Sequence, residues 1–446
     1  MLPVSDRLLL TLQSAEDLQN SLKYSKERRL ISVQDSSFNI DARYGLNNLG
    51  QIYWFNKLLE DALAQDTTST FVICAGKEDE TISAGKEDET ISMCCFLLGS
   101  YLILMEEASD EDVFKIFQPI SGRFVGLEDP TTPTDHDQDL SIMDGWRAVH
   151  TAKAHGWIDF QQEEVDIDRC IDIQEYLHYD SSVNGVLHVI IPSELIAFQC
   201  PADLLAYRPA TDARCCKWLD VGGKRMFGAA YYADILGEDF EVELVVRSDA
   251  SLDDSDDTSN DDSAFEEQDI GVERLACLGL DGSLPNRALL HDVDRFLTLA
   301  RLAPGPVAIH GRQGTRLGGG GEVLVSSLLM QRHGFDSRSA LAWLRVCHPP
   351  APPRVLAFSL LDDSAAAASP PSIQQELDVQ QRRRAWRAGV RFGASAPALM
   401  RIGEDKGGMR AAGMQSRSFR GKQCLAGLLA DESSFSDGLR DSSRGA

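Results

Sequence analysis

The residues whose types and spacing point most directly to chemistry are His310 and the glycine-rich run behind it, Gly311-Arg312-Gln313-Gly314-Thr315-Arg316-Leu317-Gly318-Gly319-Gly320-Gly321. Val307-Ala308-Ile309-His310 reads as a buried strand, and an apolar segment from Val323 to Met330 reads as a helix. Strand, glycine-rich loop and helix in that order let backbone N–H groups and a helix N-terminus bind a phosphate. His310, Arg312, Gly314 and Arg316 are the candidate phosphate-binding residues. A nucleotide-binding Walker loop is excluded, because it needs Lys and then Ser or Thr after the last glycine and Glu322 follows Gly321. A dinucleotide fingerprint belongs in the first βαβ unit, whereas this loop comes late in the chain. The reading without chemistry is a surface loop built on four successive glycines.

The elements that must hold this loop are legible on both sides of it. Val293, Phe296, Leu297 and Ala300 share one helical face between His291 and Ala303, and Pro304-Gly305-Pro306 ends that helix. Nearer the N-terminus, Ser109 precedes Asp110, Glu111 and Asp112 in a capping pattern for a short helix with Val113, Phe114 and Phe117 on its apolar face. Asp139 is the expected cap of a second helix, with Ile142, Trp146, Val149 and Ala152 inward and Gly156 at its end. The nonapeptide AGKEDETIS at 75–83 recurs unchanged at 84–92, and the extra charged residues are expected to bulge out as a solvated loop. Phe96 to Met105 is about half the ~20 residues of a membrane helix and reads as a buried strand or core helix.

Composition bounds the rest. A chain of 446 residues with 43% apolar content has room for two packed domains. The net charge of −26 argues against a general nucleic-acid surface, so any phosphate site must be local. Ten cysteines lack framework spacing, and the pairs Cys94-Cys95 and Cys215-Cys216 suit reduced thiols in cytoplasm or nucleus. The charged start, with Asp6 and Arg7 before a short leucine run, reads as folded sequence and not as a signal peptide. No cluster has metal-ligand spacing, and no cofactor is implied. Residues 248–269 hold acids, Ser and Thr with almost no apolar content and are expected to be a disordered insertion. The basic, Gly- and Ser-rich stretch 391–446 reads as a disordered tail.

Several segments match one family in order. Leu280-Asp281-Gly282-Ser283-Leu284-Pro285 precedes the loop as an Asp-Gly-Ser-x-Pro acid loop would. Ala342-Trp343-Leu344-Arg345-Val346-Cys347-His348-Pro349 follows it like a Trp-Ile-Arg-Ile-Cys-Arg-Pro segment, and Gln374-Gln375 ahead of Trp386 is similar to a glutamine loop. Phe38-Asn39-Ile40-Asp41, Asn48-Leu49-Gly50-Gln51-Ile52-Tyr53, Phe96-Leu97-Leu98-Gly99-Ser100-Tyr101 and His155-Gly156-Trp157-Ile158-Asp159-Phe160 add N-terminal matches. Together, over about residues 38 to 387, the chain resembles the mitotic-exit (cell-division-cycle-fourteen type) dual-specificity protein phosphatases.

The resemblance implies an α/β fold of two tandem dual-specificity-phosphatase-like domains joined by a helical linker. The boundaries expected are a non-catalytic domain at 1–164, a linker at 165–185, a catalytic-type domain at 186–390 and the tail beyond. It also implies phosphoprotein partners, with no nucleic acid and no membrane; oligomeric state has no signature in the sequence. In that family a thiolate directly after the loop His attacks phosphorus, an Arg six residues later clamps the phosphoryl oxygens, and the acid-loop Asp, here Asp281, protonates the leaving group. This chain departs at the centre: Gly311 occupies the nucleophile position and Leu317 the position of the clamp, with Arg316 one place short. No other cysteine has Arg six residues on. Loss of a covalent nucleophile costs on the order of 10⁶ in turnover, or about 8 kcal/mol. The expectation is a phosphatase-family protein that is catalytically inactive as written. The alternative is an active phosphatase whose loop is miswritten by a gene-model or sequence error, a suspicion raised by the perfect repeat and the glycine run.

Overall fold

A computed structural model describes residues 1–13, 28–32, 48–75, 84–126, 140–161, 166, 168–204, 217–248, 259–275, 287–311 and 317–349. Among the described residues the chain builds two larger sheets and a two-stranded one. The first runs in the order β1 (Leu2–Pro3), β2 (Leu8–Thr11), β4 (Thr70–Cys74), β3 (Arg28–Ser32), with β2, β4 and β3 parallel and β1 antiparallel at the edge. The second runs β10 (Gly271–Arg274), β9 (Leu244–Arg247), β11 (Val307–His310), β6 (Leu195–Phe198), β5 (Leu187–Ile191), parallel except for β5. Near-continuous apolar strands such as Val307-Ala308-Ile309 belong in a parallel sheet covered on both faces. A separate hairpin, β7 (Trp218–Val221) and β8 (Lys224–Phe227), turns on Gly222 and Gly223, both at positive φ (59° and 81°), where only glycine is unstrained.

Helices α1 (Leu49–Gln65), α2 (Ala84–Met105), α3 (Asp110–Phe117) and α4 (Ile142–Ala154) gather with the first sheet, and α8 (Arg287–Leu302), α9 (Gly318–His333) and α10 (Ser337–Cys347) cover one face of the second. One apolar cluster runs without interruption from Leu8 and Ile73 through Phe96, Trp146 and Trp343 to Ile309 and Leu328. The opposite face of the second sheet is covered by α6 (Ala229–Glu238) and α7 (Ser259–Glu266), which bury Tyr232, Leu236 and Phe265 against Phe198, Val245 and Ala308. The 165–185 stretch contains α5 (Ile173–Tyr179), capped by Asp172. Tyr176 Oη donates from it to the Val346 carbonyl at 3.3 Å.

Both halves of the chain meet where α4 packs on α10. Arg338 Nε donates to Asp144 Oδ2 at 3.0 Å, and Asp144 is nearly buried beside the α4 cap. Trp157 stacks on Phe335 with centroids 5.7 Å apart and lies 5.9 Å from Trp343, whose Nε1 donates to the Ile190 carbonyl at 3.0 Å. Aromatic pairs of this kind add about 0.5–1.5 kcal/mol beyond area burial.

The Ser109 cap is present, accepting from the Asp112 amide at 3.1 Å, and Val113 and Phe117 are buried. Three expectations need correction. The cap of α4 is Ser141, closed into a capping box by Asp144; Asp139 lies outside the described residues. The second nonapeptide copy is not a bulging loop but the first turns of α2, while residues 76–83 of the first copy lie outside the described residues: Glu87 suits the helix dipole, Arg123 pairs with Glu87 at 3.3 Å and with Asp88, and Ile91 is fully buried. By length and composition α2 could cross a membrane, yet two thirds of its apolar window is buried inside the fold. The third correction concerns the acidic segment 248–269. Its second half is ordered as α7, because the single large apolar side chain, Phe265, is 1% exposed and anchors it; residues 249–258 lie outside the described set.

Candidate functional site

The carboxyl ends of β9, β10, β11 and β6 share one edge of the second sheet, the edge where parallel α/β sheets bind ligands. β11 delivers His310 there and α9 departs from it. The helix starts earlier than its sequence suggests: Gly318 to Gly321 form its first turn instead of ending the loop. Each glycine inside a helix costs roughly 1 kcal/mol relative to alanine, so local propensity opposes this turn. Packing overrides it, since Leu317, Val323, Leu324 and Val325 are all buried at 1% exposure or less. The N-cap residue is Leu317, whose side chain offers no acceptor. The first amides of α9 therefore receive no side-chain cap from Leu317, and the glycines bring no side chains of their own to that turn.

His310 is 2% exposed, its ring 4.9 Å from that of Phe198, and its Nδ1–H donates to the Gly311 carbonyl at 2.9 Å. Burial pushes its pKa from 6.5 down to about 4; the bond to Gly311 opposes that, and the charge of nearby Arg247 adds to it. The imidazole is thus neutral at pH 7 and orients the backbone at Gly311. Arg247 stands at the end of β9 in register with His310. Its Nη1 donates to Asp262 Oδ1 at 2.9 Å, and Arg274 Nε donates to Asp262 Oδ2 at 3.0 Å. One carboxylate of α7 thereby ties two arginines at this edge.

Of the residues expected at the site, the structure places His310 and Gly311 together at the end of β11. Asp281, Arg312, Gly314, Arg316, Gln374 and Gln375 lie outside the described residues. Arg247 and Ser248 were not legible as site residues, because only parallel pairing of β9 with β11 brings them there. The one sequence signal was their place directly after the apolar run Leu244-Val245-Val246. Of the six described cysteines, Cys200 is half-buried and Cys74, Cys94, Cys95, Cys170 and Cys347 are buried, and burial pushes the thiols of Cys94, Cys95, Cys170 and Cys347 upward in pKa, away from the setting of a nucleophile.

No family model matches the chain. Among curated proteins it is similar to dual specificity protein phosphatase CDC14AB of Danio rerio, 24% identical over 254 residues, which is 57% of this chain and 35% of that protein. It is similar to dual specificity protein phosphatase CDC14A of Homo sapiens, 24% identical over 257 residues (57% and 36%), and to CDC14C of Homo sapiens, 25% identical over 254 residues (57% and 48%). The aligned part spans less than half the length of these relatives. Solved structures include PTPMT1 in complex with PI(5)P, at TM-score 0.29 and 14% identity over 41% of this chain and 99% of that one. Another is Tk-PTP in the active form, at TM-score 0.27 and 16% identity over 41% and 97%.

Proposed function

We propose that this chain is a dual-specificity-phosphatase-like protein that holds phosphorylated protein segments at the loop between β11 and α9 and does not hydrolyse them. The observation that supports the reading is the all-glycine first turn of α9, without a side-chain cap from Leu317, at the carboxyl edge of the second sheet, with His310 bonded to Gly311 where the family places its thiol. Backbone N–H groups at such a turn neutralise a phosphoryl dianion without any side chain. Covalent catalysis needs a nucleophile as well, and glycine supplies none. In this reading Arg312, Gly314 and Arg316 complete the cradle, Asp281 and the Gln374-Gln375 pair retain family positions without a thiolate to serve, and the two sheets are the cores of tandem phosphatase-like domains at 1–164 and 186–390. Residues 391–446 form a tail, and the protein works in cytoplasm or nucleus.

Isothermal titration of the purified chain with orthovanadate and with phosphoserine and phosphotyrosine peptides tests this, alongside an aryl-phosphate hydrolysis assay. Binding without turnover is expected. Turnover abolished by iodoacetamide would overturn the inactive reading, and absence of any phosphate-dependent binding would overturn the site. The perfect repeat at 75–92 favours a second reading, an active phosphatase with a miswritten loop. Sequencing the transcript across codons 300–330 decides between them.

A further inference from the structure

We infer that Ser248 is the positioning residue of the β11–α9 loop, a staple that holds the loop's two ends at a fixed separation. The consequence for ligand binding rests on the phosphate-site reading above; the geometry does not. Ser248 is 3% exposed and follows the last residue of β9. Its backbone N–H donates to the His310 carbonyl at 3.0 Å, just before the loop. Its Oγ lies 3.1 Å from the same carbonyl and 3.2 Å from the Leu317 carbonyl, just after the loop. A hydroxyl has one proton to donate. Since the amide already serves His310, the hydroxyl is free to serve Leu317, and one residue closes the chain across the interval 311–316.

A second observation points to the same role. A Cβ added at Gly321 would sit 2.8 Å from Ser248 Oγ and 3.2 Å from Leu317 Cβ. Glycine at that position in the first turn of α9 is therefore what lets the helix approach close enough for the hydroxyl to reach Leu317. Ser248 and Gly321 form a matched pair, which gives one of the four glycines a steric purpose. Cradle amides bind an oxyanion well only when they converge before it arrives, since ordering them on binding weakens affinity. Ser248 fixes the two carbonyls that bound the interval, and through neighbouring Arg247 and Asp262 it is tied to α7.

The test is a double-mutant cycle of Ser248→Ala and Gly321→Ala in the full chain, read by hydrogen exchange and by orthovanadate titration. Ser248→Ala should speed exchange of amides in 311–321 about tenfold while amides of α1 stay unchanged, and should weaken vanadate binding about five- to twentyfold. Ser248→Thr, which keeps the hydroxyl, should stay closer to the original in exchange. Gly321→Ala should destabilise the original chain more than it does the Ser248→Ala chain, because the Oγ clash is then gone. Unchanged exchange in 311–321, or strictly additive effects, would overturn the staple. If the original chain binds no vanadate, the phosphate reading fails alone, and exchange and the cycle still decide the staple.

Discussion

Acidification isolates the role of His310. Its ring is buried and neutral in the folded chain, with a pKa near 4 against 6.5 when exposed. The unfolded chain therefore takes up the proton first as acid is added. Stability from this residue is complete above about pH 6.5, declines as pH falls toward 4, and is lost below that. At about 1.4 kcal/mol for each pH unit between the two values the full loss is about 3 kcal/mol. At pH 5 the unfolded imidazole is nearly all charged and the folded one nearly all neutral, so about 2 kcal/mol is already gone. The variant that separates His310 from all other titrating groups is His310→Asn, whose amide N–H can still donate to Gly311. Urea melts of both proteins at pH 7 and pH 5 are the assay. The original chain should lose about 2 kcal/mol more than the variant over that interval, whatever the variant's stability at pH 7. Equal losses would mean that His310 is solvated or charged in the fold, and the account of how Gly311 is oriented would fall with it.

Gly311→Cys alone should leave aryl-phosphate turnover at background, since Leu317 stands where the clamping arginine belongs. Replacing 311–321 by a loop with Cys and Arg six residues later should give turnover that Asp281→Ala then removes; equal rates from the single substitution would show that Arg316 reaches the phosphate. Phe265→Ala should cost about 3–5 kcal/mol in a denaturant melt, because Phe265 is 1% exposed and anchors α7, whereas deleting 249–258 should cost far less; equal costs would contradict the anchoring. Gly99→Ala should lower the melting temperature although alanine favours helix by about 1 kcal/mol, because its methyl would lie 2.3 Å from Trp146 Nε1 in a packed core. A rise in melting temperature would refute that contact.

What the sequence determined alone is whatever depends on local order along the chain. Periodicity disclosed the helices at 110–117 and 142–154 and the body of 287–302 from His291 onward, the Ser109 cap disclosed where the first begins, and the apolar run before His310 disclosed β11. The missing thiol was legible too, since Gly311 is a matter of identity and not of geometry. Tertiary structure decided the rest, because distant segments set the balance there. A charged nonapeptide became helix once Ile91 and Phe96 found a core and Arg123 came to meet Glu87. Four glycines became a helical turn against their own propensity because burial of Leu317 and Val323 outweighed it. An acidic run became ordered from Ser259 because one phenylalanine had a sheet face to enter. Buried His188 and His348, with Nδ1 atoms 2.8 Å apart and 160 residues of separation, could not be paired from sequence at all. The same holds for Ser248: only parallel pairing of β9 with β11 sets its hydroxyl across the mouth of the loop, where neither the acidic run after it nor the glycines near it would have placed it.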